Sequence, residues 1–169
     1  MKKIAAFVIL ASAFHFSFAQ QTRTITDPQA NLKQAKEYFQ KEQYSLAYPL
    51  LKELQLQQKE ADRSNQAISY QEVKYYSLAC ALKQNEEGAV LKARNFIETE
   101  DNAARVQMMS FQLAEYYFRH DDLAQAASLY ETTSIANLSN REIADLKFHL
   151  GYVYFTLKQF DKEIGRAHV

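Results

Sequence analysis

Few residues in this chain have side chains able to do chemistry. His120-Asp121-Asp122 sets an imidazole beside two carboxylates, the makings of a metal site or an acid–base pair. His149 has no cysteine and no second histidine at ligand spacing on its own stretch. Cys80, the single cysteine, carries the one thiol. Each has a plainer reading. His120 to Asp122 falls between two helical stretches, where a polar turn belongs. Cys80 lies between Ala79 and Ala81, with no cation close in sequence to draw its thiol toward thiolate, so a small core residue is expected. The acidic pairs Glu86-Glu87 and Asp121-Asp122 also sit at turns, where solvated charge is the ordinary state. No Gly-rich phosphate loop, cysteine pair or nucleophile elbow is present. No catalytic residue, cofactor or metal is expected, and the chain does not read as an enzyme.

The elements around these residues are helical. Gly is 3 and Pro is 2 in 169 residues, too few for the turns of an all-β or α/β chain. Apolar residues recur at spacings of three and four. Leu32, Ala35, Tyr38 and Phe39 share one face, and Ala47, Leu50, Leu51 and Leu54 another. Val73, Tyr76, Ala79 and Leu82 follow, then Ala89, Ala93, Phe96 and Ile97. Leu113, Ala114, Tyr117 and Phe118 lead to Ala126, Ala127 and Tyr130, and last to Leu146, Leu150, Val153 and Tyr154. Polar breaks separate these stretches at Glu42-Gln43, 61–67, 85–88 and 120–122. Asp27 with Pro28, Asp101-Asn102 and Ser139-Asn140 are placed to cap helix starts.

The stretches repeat as helix, short turn, helix. Gln34-Ala35-x-x-Tyr38, Leu78-Ala79-x-x-Leu82, Leu113-Ala114-x-x-Tyr117 and Leu150-Gly151-x-x-Tyr154 succeed one another at offsets of 44, 35 and 37 residues. Ala47 with Leu51, Leu91 with Asn95 and Ala126 with Tyr130 follow in the second helices. This pattern resembles the tetratricopeptide-repeat (TPR) family. The resemblance implies an all-α, right-handed α-solenoid of helix–turn–helix repeats over 29–163, with units at about 29–60, 68–98, 103–136 and an incomplete 141–163. It implies a protein-interaction scaffold, with first helices lining a concave groove for a protein or peptide partner. By helical phase that groove takes Lys36, Tyr76, Lys83, Phe111, Glu115, Arg119, Phe148 and Tyr152. The family's usual opening Trp and closing Pro are missing. Leu91 and Asn95 also depart from its pattern of Ala and a large apolar residue.

The ends carry other signals. Lys2 and Lys3, an apolar run from Ile4 to Phe18, and Ser17-Phe18-Ala19 read as a signal peptide over 1–19, too short to span a bilayer as a helix. A polar leader follows over 20–28. Export to the periplasm is the expected route, with no transmembrane segment left after cleavage and no cysteine placed for a lipid anchor. With 20 basic and 20 acidic residues and no basic stripe, nucleic acid is not an expected partner. Glu163 to Val169 resembles the translation of a sequencing adapter, so 164–169 reads as a non-native tail. On that reading the last helix lacks its companion and leaves Leu150, Val153, Tyr154 and Leu157 exposed.

Overall fold

The computed structural model describes residues 27–60 and 69–159. The expected signal peptide, most of the expected leader, the segment 61–68 and the tail 164–169 expected to be non-native lie outside the described residues. Within them the protein is all-helical and has no strand. The helices are α1 (Pro28–Gln40), α2 (Tyr44–Glu60), α3 (Tyr70–Lys83), α4 (Ala89–Thr99), α5 (Ala103–Arg119), α6 (Leu123–Thr132) and α7 (Asn140–Thr156). A short 3-10 turn, Ile135–Asn137, precedes α7. Most starts are capped by residues that compete poorly inside helices and well at their ends. Asp27 accepts from the Gln29 amide with Pro28 in the first turn, and Asn102 accepts from Arg105. Ser139 and Glu142 form a reciprocal capping box.

One turn recurs at the ends of α1, α3, α5 and α7. Glu42, Asn85, Asp121 and Lys158 each adopt a left-handed backbone, with φ between 57° and 59°. Each is followed by an amide that reaches back five residues: Gln43 to the Tyr38 carbonyl, Glu86 to Ala81, Asp122 to Tyr117 and Gln159 to Tyr154. The left-handed residue itself donates three residues back, to Phe39, Leu82, Phe118 and Phe155. This is the Schellman cap, which satisfies the last carbonyls of a helix and turns the chain sharply. None of the four residues is glycine, so each carries a Cβ penalty. Asp121→Gly is expected to stabilise the protein by about 0.5 kcal/mol, and Asp121→Val to cost about 1–2 kcal/mol. Urea midpoints measure both, and a midpoint unmoved by the valine would refute the strain.

The four turns set the register of the units and correct the sequence reading of the second. Counting back from the left-handed residue, Ala35, Ala114 and Gly151 are equivalent, and so is Leu78 rather than Ala79. In the second helix of that unit, too, the buried face differs from the one that residue type suggests. Leu91 is 73% exposed, while Ala89, Ala93 and Phe96 are buried. By burial and spacing these match Ala47, Leu51 and Leu54 on α2, and Ala126, Tyr130 and the C-cap Thr133 of α6, all buried, though they fall one residue closer to the left-handed residue of the turn. The second unit has therefore exchanged sizes. Its first helix carries Leu78 where the others carry Ala or Gly, and its second carries Ala93 where the others carry Leu or Tyr. Conserved total volume keeps such a swap close-packed.

Consecutive helices pack together, and α1 also touches α3 as α3 touches α5. The core divides into a cluster under α1–α3 and a larger one under α3–α7, with Tyr48 and Tyr76 packed against both. Cys80 is fully buried, and burial pushes its thiol up to about 12, which leaves it unreactive.

On α7 the expected exposure is overturned for three residues of four. Leu150, Val153 and Tyr154 are buried, and only Leu157 stays in contact with water. The stripe facing α6 is covered, and the adjacent stripe Phe148, Tyr152 and Phe155 is open instead. In the turn register Phe148 corresponds to Tyr75 and Phe111, both 2% exposed. Among the described residues nothing covers that position on α7 as it is covered on α3 and α5. The double variant Phe148→Ser/Phe155→Ser is expected to remove most of the fluorescence of an apolar-surface dye, with the melting temperature held. Unchanged dye binding would place the open patch elsewhere.

Candidate partner-binding groove

The odd-numbered helices enclose a groove of about 510 Å³. Its walls come from the end of α1 with Tyr44, from the middle of α3, from the centre of α5 and from the first turns of α7. Helical periodicity places the lining. Tyr75 and Tyr76 stand at the groove face of α3, Met108, Phe111 and Gln112 at that of α5, and Glu142 and Asp145 at that of α7. Phe39 meets Tyr44 and Tyr76 edge to face at 5.3 and 5.2 Å. These rings give one end a rigid aromatic wall, and burial lifts the Tyr44 phenol to about 12.

Of the eight residues assigned to the groove by helical phase, Tyr76, Lys83, Phe111 and Glu115 line it. Lys36 lies in a neighbouring hollow with Ser69 and Glu72, where it forms a 2.7 Å ion pair to Glu72. That hydrogen bond raises the lysine's pKa. Arg119 turns toward the end of α3, donating to the Leu82 carbonyl at 3.1 Å and the Lys83 carbonyl at 3.5 Å. It serves as a tertiary cap on carbonyls that α3 leaves open. Phe148 and Tyr152 are on the open stripe of α7, and Tyr152 meets Phe118 edge to face at 5.7 Å.

The structure also joins residues that no sequence spacing connects. His149, which has no cysteine or second histidine on its own helix, lies with Nδ1 2.8 Å from Glu115 Oε1 on α5. The hydroxyl of Tyr130 on α6 donates to the same oxygen at 2.5 Å, and Phe118 stacks on the imidazole at 4.0 Å. Glu115 and Tyr130 are buried, and burial together with the Glu115 carboxylate pushes the phenol pKa up. The carboxylate is thus held by three helices. The available signal was an acid on the apolar face between Phe111 and Phe118. Across the mouth of the groove Arg141 pairs with Glu42 at 2.6 Å, joining the first turn to the start of α7. Lys83 stands inside, its pKa lowered by burial and raised in part by Glu115.

Among the described residues no group of three His, Cys, Asp or Glu side chains could hold a metal ion. His120 stacks on Tyr116 at 4.1 Å and lies 2.8 Å from its carbonyl oxygen, as a turn residue does. No described helix is long and apolar enough to cross a membrane. Compared with protein-family models, with curated proteins and with solved structures, the chain has no significant match.

Proposed function

We propose that this chain is a protein-interaction scaffold. Its helical hairpins form a right-handed, TPR-like α-solenoid in the periplasm, and the groove between the odd-numbered helices holds a segment of a partner protein. No catalysis is part of this reading. The observation that carries it is the groove itself: aromatic side chains from three stacked hairpins converge on one open concavity. The recurrent Schellman turn supports the repeat, because the same cap ends α1, α3, α5 and α7 alike. Buried aromatics ringed by polar groups are the composition on which protein interfaces spend their binding energy.

A photo-reactive residue placed at Tyr76 tests this. In the cell envelope it is expected to cross-link a discrete set of proteins, while one placed at Leu91, outside the groove, is not. No cross-links at Tyr76, or the same set from both positions, would refute the groove. A second reading makes the chain the repeat arm of a larger envelope assembly. It draws on the open stripe Phe148, Tyr152 and Phe155 of α7, whose counterpart Phe111 on α5 is covered.

A further inference from the structure

We propose that the groove selects a cationic segment, one that presents a Lys or Arg side chain flanked by apolar residues. This rests on the scaffold reading above. The sequence led toward a groove rich in Lys and Arg, yet two of the three cations assigned to it are used elsewhere, Lys36 by Glu72 and Arg119 by the end of α3. The charges that line the groove are the acids Glu42, Glu115, Glu142 and Asp145 against the cations Lys83 and Arg141, with Glu115 shared by Tyr130 and His149 and Glu142 tied to the Ser139 cap. Arg141 is already paired with Glu42. Among the described residues the Asp145 side chain has no hydrogen-bond or ion-pair partner.

An independent observation points the same way. Gln112 lines the groove at 3% exposure and donates through Nε2 to Glu142 at 3.3 Å. Its Oε1 is buried and has no hydrogen-bond partner among the described residues. A buried acceptor left unmade is costly, and it is satisfied by a ligand that brings N–H donors. Ammonium and guanidinium groups carry donors only. The ring of Tyr76 suits the same ligand, since an aromatic face attracts cations and packs against apolar flanks. Arg141 at the mouth already acts as such a cation. Both partners of its ion pair are more than half exposed, so an incoming charge can displace it.

The test uses the purified chain and short labelled peptides read by fluorescence anisotropy. One peptide alternates Lys with Phe, a second alternates Glu with Phe, and a third alternates Lys with Gly. The Lys–Phe peptide is expected to bind about tenfold or more tighter than either of the others. Asp145→Lys in the groove is expected to weaken it about tenfold, and Glu98→Lys, the same charge change on the exposed side of α4, to leave it within about twofold. Thermal melts confirm that both variants fold. The proposal is overturned if the Glu–Phe peptide binds equally well, if both lysine variants weaken binding alike, or if no peptide binds. In each of those cases the groove reading still stands if cross-linking at Tyr76 captures a discrete partner set, and falls with the proposal if it does not.

Discussion

Glu115→Ala is expected to cost the fold about 3 kcal/mol, among the largest effects of any single substitution away from the purely apolar core. Glu115 is 7% exposed, and its carboxylate is shared by the Tyr130 hydroxyl and His149. Removing it leaves a buried phenol without its acceptor, an imidazole facing a void, and a cavity between α5, α6 and α7. At this size the loss corresponds to a fall in melting temperature of roughly 10 °C. Glu115→Gln keeps the volume and one acceptor oxygen and should lose about 1 kcal/mol. Tyr130→Phe separates the causes. In the Glu115→Ala background it should cost less than in the wild type, because the orphaned hydroxyl is then gone. Strictly additive losses from the two changes would show that the cluster does not act as a unit.

Phe96→Ala is expected to cost about 4 kcal/mol, while Leu91→Ala on the same helix stays within about 0.5 kcal/mol. Phe96 is fully buried in the larger core cluster, with the Lys74 ammonium 5.4 Å from its ring centre. Leu91 is 73% exposed. Alignment by residue type treated Leu91 as the residue at the helix crossing, so the pair of variants decides between the two registers. Chemical denaturation of both measures the difference. Comparable losses, or a larger one at Leu91, would reverse the assignment of the faces of α4.

Most of the helices were legible because an amphipathic helix writes its buried stripe at a period of 3.6, and because Asp27, Asn102 and Ser139 are poor helix formers placed at helix starts. The turns were less legible. Asn85 and Asp121 are residues that tolerate a left-handed backbone, but Glu42 and Lys158 are not, and their conformation follows from the hairpin they close. The one-residue slip in the second unit has the same origin. Ala79 matched the family's small residue by type, while the Schellman cap, a backbone event, aligns Leu78 with Ala35.

The groove was legible in part for a geometric reason. Helical phase states which residues share a face, and it placed Tyr76, Lys83, Phe111 and Glu115 on the face that lines the cavity. Phase cannot state what a long charged side chain does at its tip. Lys36 and Arg119 have the right phase, yet a carboxylate on α3 and the open carbonyls at the end of α3 claim them. Composition and period therefore decided that the described residues are helical, where most of the helices begin and which apolar stripe each carries, since these depend on neighbours within a few residues. The tertiary structure decided the acidic character of the groove, the shared carboxylate of Glu115 and the ion pair from Glu42 to Arg141. Those depend on side chains far apart in sequence, whose meeting is set by how the hairpins stack.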